Sequence, residues 1–112
     1  MAFCCITPLL VAKSLSENNV VASLSMGSKG ADWPFSGLID LVKGFGHGHI
    51  EVGMNEYSHD KENKILCTPC YMCLKSTPYT VYSAIDSMIG ELNEKYLKHN
   101  FRKIRYNITD II

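Results

Sequence analysis

At 112 residues, with 46% hydrophobic and 20% charged residues, the chain has the composition of a folded protein with a modest core. Residues 1–112 are accordingly read as a single domain. Eleven basic residues balance eleven acidic ones. That balance excludes the net positive field by which dedicated nucleic-acid or anionic-lipid binders condense onto phosphate.

The start, Met1 to Ala12, is apolar but carries no basic n-region, so it reads as a buried segment and not as a signal peptide or membrane span. Within and beyond it, Thr7 to Glu17 sets Leu9, Leu10, Ala12 and Leu15 at helical spacing, and Asn18-Asn19 would stop that helix. Val20 to Met26 opens β-branched, then alternates, and runs into Gly27-Ser28-Lys29-Gly30: a strand and a turn. Trp33 to Val42 fits either a second strand framed by Pro34 and Gly37 or a short helix with Leu38, Ile39, Leu41 and Val42 on one side. His49 to Val52 could open a helix or form a strand, and the charged stretch Ser58 to Asn63 reads as a loop. Lys64 to Cys67 is a short strand leading into Thr68-Pro69-Cys70. Tyr79 through Tyr96 repeats Val81, Ala84, Ile85, Met88, Ile89, Leu92 at helical spacing, the clearest helix in the chain. Lys103 to Ile108 is a candidate last strand, and the basic cluster from Lys95 to Arg105 reads as a solvated helix face. The order is an α/β alternation.

Chemistry concentrates in His49-Ile50-Glu51 and, seventeen residues later, Pro69-Cys70-Tyr71-Met72-Cys73. If Pro69 opens a helix, Cys70 and Cys73 lie one above the other at its first turn, where the positive helix end favours thiolates. With His49 they would offer three ligands to a tetrahedral Zn²⁺ and leave the fourth position to a water. Glu51 would stand beside that water without binding the metal.

This order resembles the H-x-E…P-C-x-x-C signature of the zinc-dependent cytidine/nucleoside deaminase superfamily, over about twenty-five residues. The resemblance implies an α/β, deaminase-like sandwich of helices around a central sheet, and a hydrolytic deaminase using Zn²⁺ held by His49, Cys70 and Cys73. It implies that Glu51 moves the proton from water to the ring nitrogen and leaving amine. The substrate would be a cytosine-type base in a nucleoside, nucleotide or single-stranded nucleic acid.

Other readings stand beside it. Cys67, Cys70 and Cys73 with one histidine would make a closed, purely structural zinc site in a non-enzymatic protein that works through protein partners. His47 or His59, otherwise lone surface histidines, could replace His49. Cys67 or Cys70 with His49 could form a thiol–imidazole pair. Five cysteines, an odd number, with three at every third position, point to a reducing compartment, hence the cytoplasm. The adjacent Cys4 and Cys5 are a candidate palmitoylation pair. Oligomeric state, including a homo-oligomer, is left open.

Overall fold

Short strands, several of them paired with partners far away in sequence, build two small sheets. The structure, a computed structural model, describes residues 1–97. Strand β1 (Ala2–Cys4) runs parallel to β5 (Ile65–Thr68), with Ala2 opposite Leu66, Phe3 opposite Cys67 and Cys4 opposite Thr68. Every residue of β5 is buried, as a strand covered on both faces requires, and its sequence is correspondingly a continuous apolar run. On its other side β4 (Ser58–Asp60) pairs antiparallel, with Ser58 opposite Cys67.

A second parallel pair, β2 (Ser23–Gly27) and β3 (Gly48–Glu51), packs against β5 and β4. Parallel neighbours need a crossover, and helix α2 (Leu38–Gly44) supplies it between β2 and β3. The Ser23 N–H donates to Asp60 Oδ2 at 2.7 Å and so ties β2 to β4. Burial alone would push the Asp60 carboxyl up. The Ser23 N–H, the Asn63 side chain and backbone and the Glu62 backbone outweigh it and hold that carboxyl below its ordinary value.

Helix α1 (Thr7–Glu17) carries Pro8 in its first turn, where the missing N–H costs nothing, and buries Ala12. It ends as expected at Asn18-Asn19, with Asn19 left-handed at φ 60°. Helix α3 (Pro78–Leu92) starts from a reciprocal cap in which Thr77 and Thr80 exchange hydrogen bonds, and it turns Val81, Ala84 and Met88 inward; a π-helical turn, Asn93–Leu97, continues it. Leu24, Ile39, Val42, Ile65 and Ala12 make the fully buried centre of the core, with Trp33 and Phe45 against it. Gly27 is required twice over: its φ is +102°, and a Cβ there would stand 2.3 Å from the Trp33 ring.

Several sequence expectations change here. Ser58 to Asn63 is not all loop, because its first half is β4. The ambiguous Trp33 to Val42 stretch divides into turns and the start of α2, and of His49 to Val52 the first three residues resolve as strand. The helix expected after Pro69 is a single 3-10 turn, Cys70–Met72. Cys70 itself has φ 52°, a left-handed conformation from which a right-handed α-helix cannot propagate, and Cys73 is extended at φ −93°, ψ 133°. The candidate strand Lys103 to Ile108 and the basic residues from Lys98 onward lie outside the described residues.

Candidate functional site

Four non-glycine residues of the described chain have a left-handed backbone, and two of them are Cys5, at φ 57°, and Cys70, at φ 52°. Asparagine and lysine at the other two positions lie in turns. A left-handed cysteine costs conformational energy that the surroundings must enforce, and such residues gather at functional sites. Both cysteines stand at carboxyl ends of neighbouring parallel strands, Cys5 just past β1 and Cys70 two residues past β5. That is the edge of an α/β sheet where ligands bind.

Cys5 is the tighter case. One residue separates β1 from the N-cap of α1, Ile6, and that residue is Cys5. Its N–H donates to Thr68 O at 3.0 Å, which fixes the corner against β5. A sharp strand-to-helix corner of this kind lifts one side chain out of the sheet while the first turn of the helix presents N–H groups that have no intrahelical acceptor. The Cys5 side chain is half-buried, whereas Cys4 is exposed and Cys70 only 5% exposed. Cys70 is held from the other side by Ser76, whose Oγ donates to Cys70 O at 3.0 Å. Burial, then the neighbouring Cys4 thiol, push the Cys70 thiol up to about 12. Burial likewise raises Cys67, which lies in the core on β5. Neither behaves as the ready thiolate that the thiol–imidazole alternative needed.

The zinc constellation does not assemble. Among the described residues no group of three His, Cys, Asp or Glu side chains is placed to hold a metal ion. His49, on β3, accepts the Met26 N–H on Nε2 at 2.9 Å, so that lone pair is already used. Desolvation and then the Lys43 charge lower its pKa below 6.5, with Glu51 pulling the other way. Glu51 is exposed at the end of β3. Cys70 and Cys73 are buried past β5, on separate turns of chain.

The other two described histidines are also committed. His47, read as a surface residue, is 4% exposed: Nδ1 accepts the Ala22 N–H at 3.1 Å, so Nε2 carries the proton and donates to Ala12 O at 2.7 Å. It staples α1 to the start of β2. His59 contacts Glu91 through Nδ1 at 3.3 Å and hydrogen-bonds the Tyr96 hydroxyl through Nε2. Tyr57 joins the same Glu91, and desolvation followed by that carboxylate raises its pKa. This network fastens the end of α3 and the π-helical turn to β4.

No family model matches the chain. The chain is 30% identical over 94 residues to the rat ES1 protein homolog, mitochondrial, which is 84% of this chain and 35% of that protein. It is equally 30% identical over 94 residues to the human glutamine amidotransferase-like class 1 domain-containing protein 3, mitochondrial, covering 84% of this chain and 34% of the relative. The chain thus spans about a third of the length of the curated relatives it matches. Its fold is that of a solved isoprenoid biosynthesis protein with amidotransferase-like domain from Ehrlichia chaffeensis, at TM-score 0.65 and 22% identity over 83% of this chain and 38% of that one.

The α/β class therefore stands, and the deaminase-like sandwich is corrected to an amidotransferase-like arrangement. The deaminase reading is overturned with it, because the relatives are amidotransferase-like proteins. Zn²⁺ as cofactor falls too, both as a catalytic ion on His49, Cys70 and Cys73 and as a closed structural site. The cytoplasmic expectation is not carried by relatives whose names are mitochondrial. Among the described residues no helix is long and apolar enough to cross a membrane.

The residue that sequence reasoning passed over is Cys5. Three residues are too few to show β1 as a strand, so the cysteine pair just before Thr7-Pro8 was the one hint of the corner in the sequence.

Proposed function

We propose that this chain carries the nucleophile-bearing part of an amidotransferase-like domain, with Cys5 Sγ as the nucleophile toward a carboxamide such as that of glutamine. The observation that carries the reading is the left-handed Cys5 wedged between β1 and α1. Attack on the carboxamide carbon would form a C–S bond and an oxyanion beside the first turn of α1, where the N–H groups of Ile6 and Thr7 lie. Collapse would expel ammonia and leave a thioester on Cys5. The thiol proton has to reach the leaving nitrogen, which calls for a base.

His47 spends both ring nitrogens on the backbone, His49 spends its Nε2 on the Met26 N–H, and His59 is engaged by Glu91 and Tyr96, so each described histidine already has a structural task. The reading therefore assigns the base to a group outside the described residues. The continuous core from Ala12 to Met72 supports treating the chain as one folding unit within such a domain. A mitochondrial location belongs to the same proposal, on the names of the relatives alone.

Active-site labelling tests it. The glutamine analogue 6-diazo-5-oxonorleucine and, separately, iodoacetamide are mapped by peptide mass spectrometry on the reduced chain. Cys5 should be modified first, and Cys5→Ser should abolish analogue labelling while Cys4→Ser keeps it. Labelling that survives Cys5→Ser would remove Cys5 from the role.

A further inference from the structure

A second chemistry lies at the same sheet edge but on different sulfurs. We propose that Cys4 and Cys70 are a modification site in which peroxide drives a reversible intramolecular disulfide between the carboxyl ends of β1 and β5. It does not depend on Cys5 being a nucleophile.

The geometry supplies the pair. Cys4 is the last residue of β1 and is opposite Thr68 on β5. Neighbouring strands lie about 4.8 Å apart. Two residues on, the left-handed turn at Cys70, anchored by Ser76 Oγ, brings that residue back to the strand end, where Cys4 is close enough to raise the Cys70 thiol. All five thiols are free. Cys67 is fully buried in the core, and the neighbouring Cys4–Cys5 pair could close only an eight-membered ring by distorting the peptide between them.

The two thiols have unequal access, and that sets the order of events. Cys4 is exposed to a small oxidant, while Cys70 is 5% exposed and, with its thiol pushed up to about 12 by burial, keeps its proton. The Cys4 thiolate attacks one oxygen of hydrogen peroxide. An S–O bond forms, the O–O bond breaks, and the departing hydroxide takes up the original thiol proton as water. The Cys70 sulfur then attacks the Cys4 sulfenic sulfur. The S–O bond breaks, and hydroxide leaves with the Cys70 proton as a second water. Two thiols and one peroxide become one disulfide and two waters. Cys5 lies between the joined strand ends, with its N–H on Thr68 O, so the cross-link fastens the frame around the corner.

The experiment is disulfide mapping of the full reduced chain titrated with hydrogen peroxide, blocked with N-ethylmaleimide and digested without reductant. One equivalent of peroxide should give a Cys4–Cys70 linked peptide that dithiothreitol removes, with Cys67 and Cys73 alkylated throughout. Cys70→Ser should leave Cys4 as a sulfenic acid trapped by dimedone. Cys4→Ser, a change at an exposed side chain, should leave Cys70 a free thiol at the same dose. Cys5→Ser should form the Cys4–Cys70 link as readily as the unaltered chain, which separates this result from the fate of the nucleophile reading. A Cys4–Cys5, Cys5–Cys70 or intermolecular link in place of it, or Cys4 oxidised with Cys70 still free in the unaltered chain, would overturn the assignment.

Discussion

Cys5 and Cys70 share a left-handed backbone, at φ 57° and φ 52°, at the carboxyl ends of two strands that pair parallel through Cys4 and Thr68. Neither residue type favours that conformation, so the sheet and the following turns impose it. The strain is greatest in consequence at Cys5, where the corner leads straight into a helix.

Replacing Cys5 with glycine and with alanine separates strain from chemistry. Both variants lose the thiol and should lose alkylation at this position. Glycine alone removes the Cβ that the left-handed conformation penalises, and after allowing for its extra unfolded-state freedom Cys5→Gly should be more stable than Cys5→Ala by about 1 kcal/mol. Urea unfolding of the two variants reads the difference. Equal midpoints would mean that the corner stores no strain at Cys5.

The His49 imidazole makes stability depend on pH in a definite direction. Desolvation and Lys43 lower its folded pKa, whereas in the unfolded chain it titrates near the ordinary 6.5. The unfolded state therefore binds more protons just below pH 6.5. The stability contributed is fully present above 6.5 and is lost as pH falls from there towards the depressed folded value. His49→Gln should flatten this part of the profile relative to the unaltered chain. Glu51→Gln removes the carboxylate that raises the His49 pKa, so it should extend the sloping region to lower pH. Denaturant midpoints across about pH 5 to 8 measure all three.

His47 should prove the most costly histidine to remove. It satisfies the Ala22 N–H and the Ala12 carbonyl in the core, at 3.1 and 2.7 Å. His47→Ala leaves both backbone groups without this partner and opens a hole between α1 and β2. The unmet donor alone costs about 1–3 kcal/mol, and the cavity adds to it. A comparison with His59→Ala, whose ring joins side chains near the surface, would show the contrast in thermal midpoint.

The helices at Thr7–Glu17 and Pro78–Leu92 were legible because an apolar face repeats at 3.6 residues, and Asn18-Asn19 mark the end of the first. Strands β1 and β4 were not, since three residues are too few for a period of two to show, and the β5 partners of β1 lie far off in the chain. The His49–Cys70–Cys73 grouping failed for a related reason. Ligand spacing along a sequence says nothing of pairing, and β3 pairs with β2, whereas Cys70 follows β5, whose partners are β1 and β4. His47 looked solvated among glycines, and only tertiary structure brings the Ala12 and Ala22 backbone to it.

Gly27 and Gly90 make opposite predictions for the same substitution. Gly27 ends β2 at φ +102°, and an added methyl would meet Trp33 at 2.3 Å, with two further ring atoms at 2.8 and 3.0 Å. Gly27→Ala thus combines a strained backbone with a forced shift of a ring packed on the core, and a loss of about 2 kcal/mol or more is expected. Gly90 lies inside α3, where an added Cβ meets nothing within 4 Å. Gly90→Ala should therefore gain about 0.5–1 kcal/mol from helix propensity and reduced unfolded-state freedom. Trp33 is the single tryptophan, so its emission reports the first site directly. Gly27→Ala should alter the native spectrum as well as lower the midpoint, and Gly90→Ala should raise the midpoint and leave the spectrum alone. An unchanged Trp33 spectrum in Gly27→Ala would show that the ring is not held where this packing puts it.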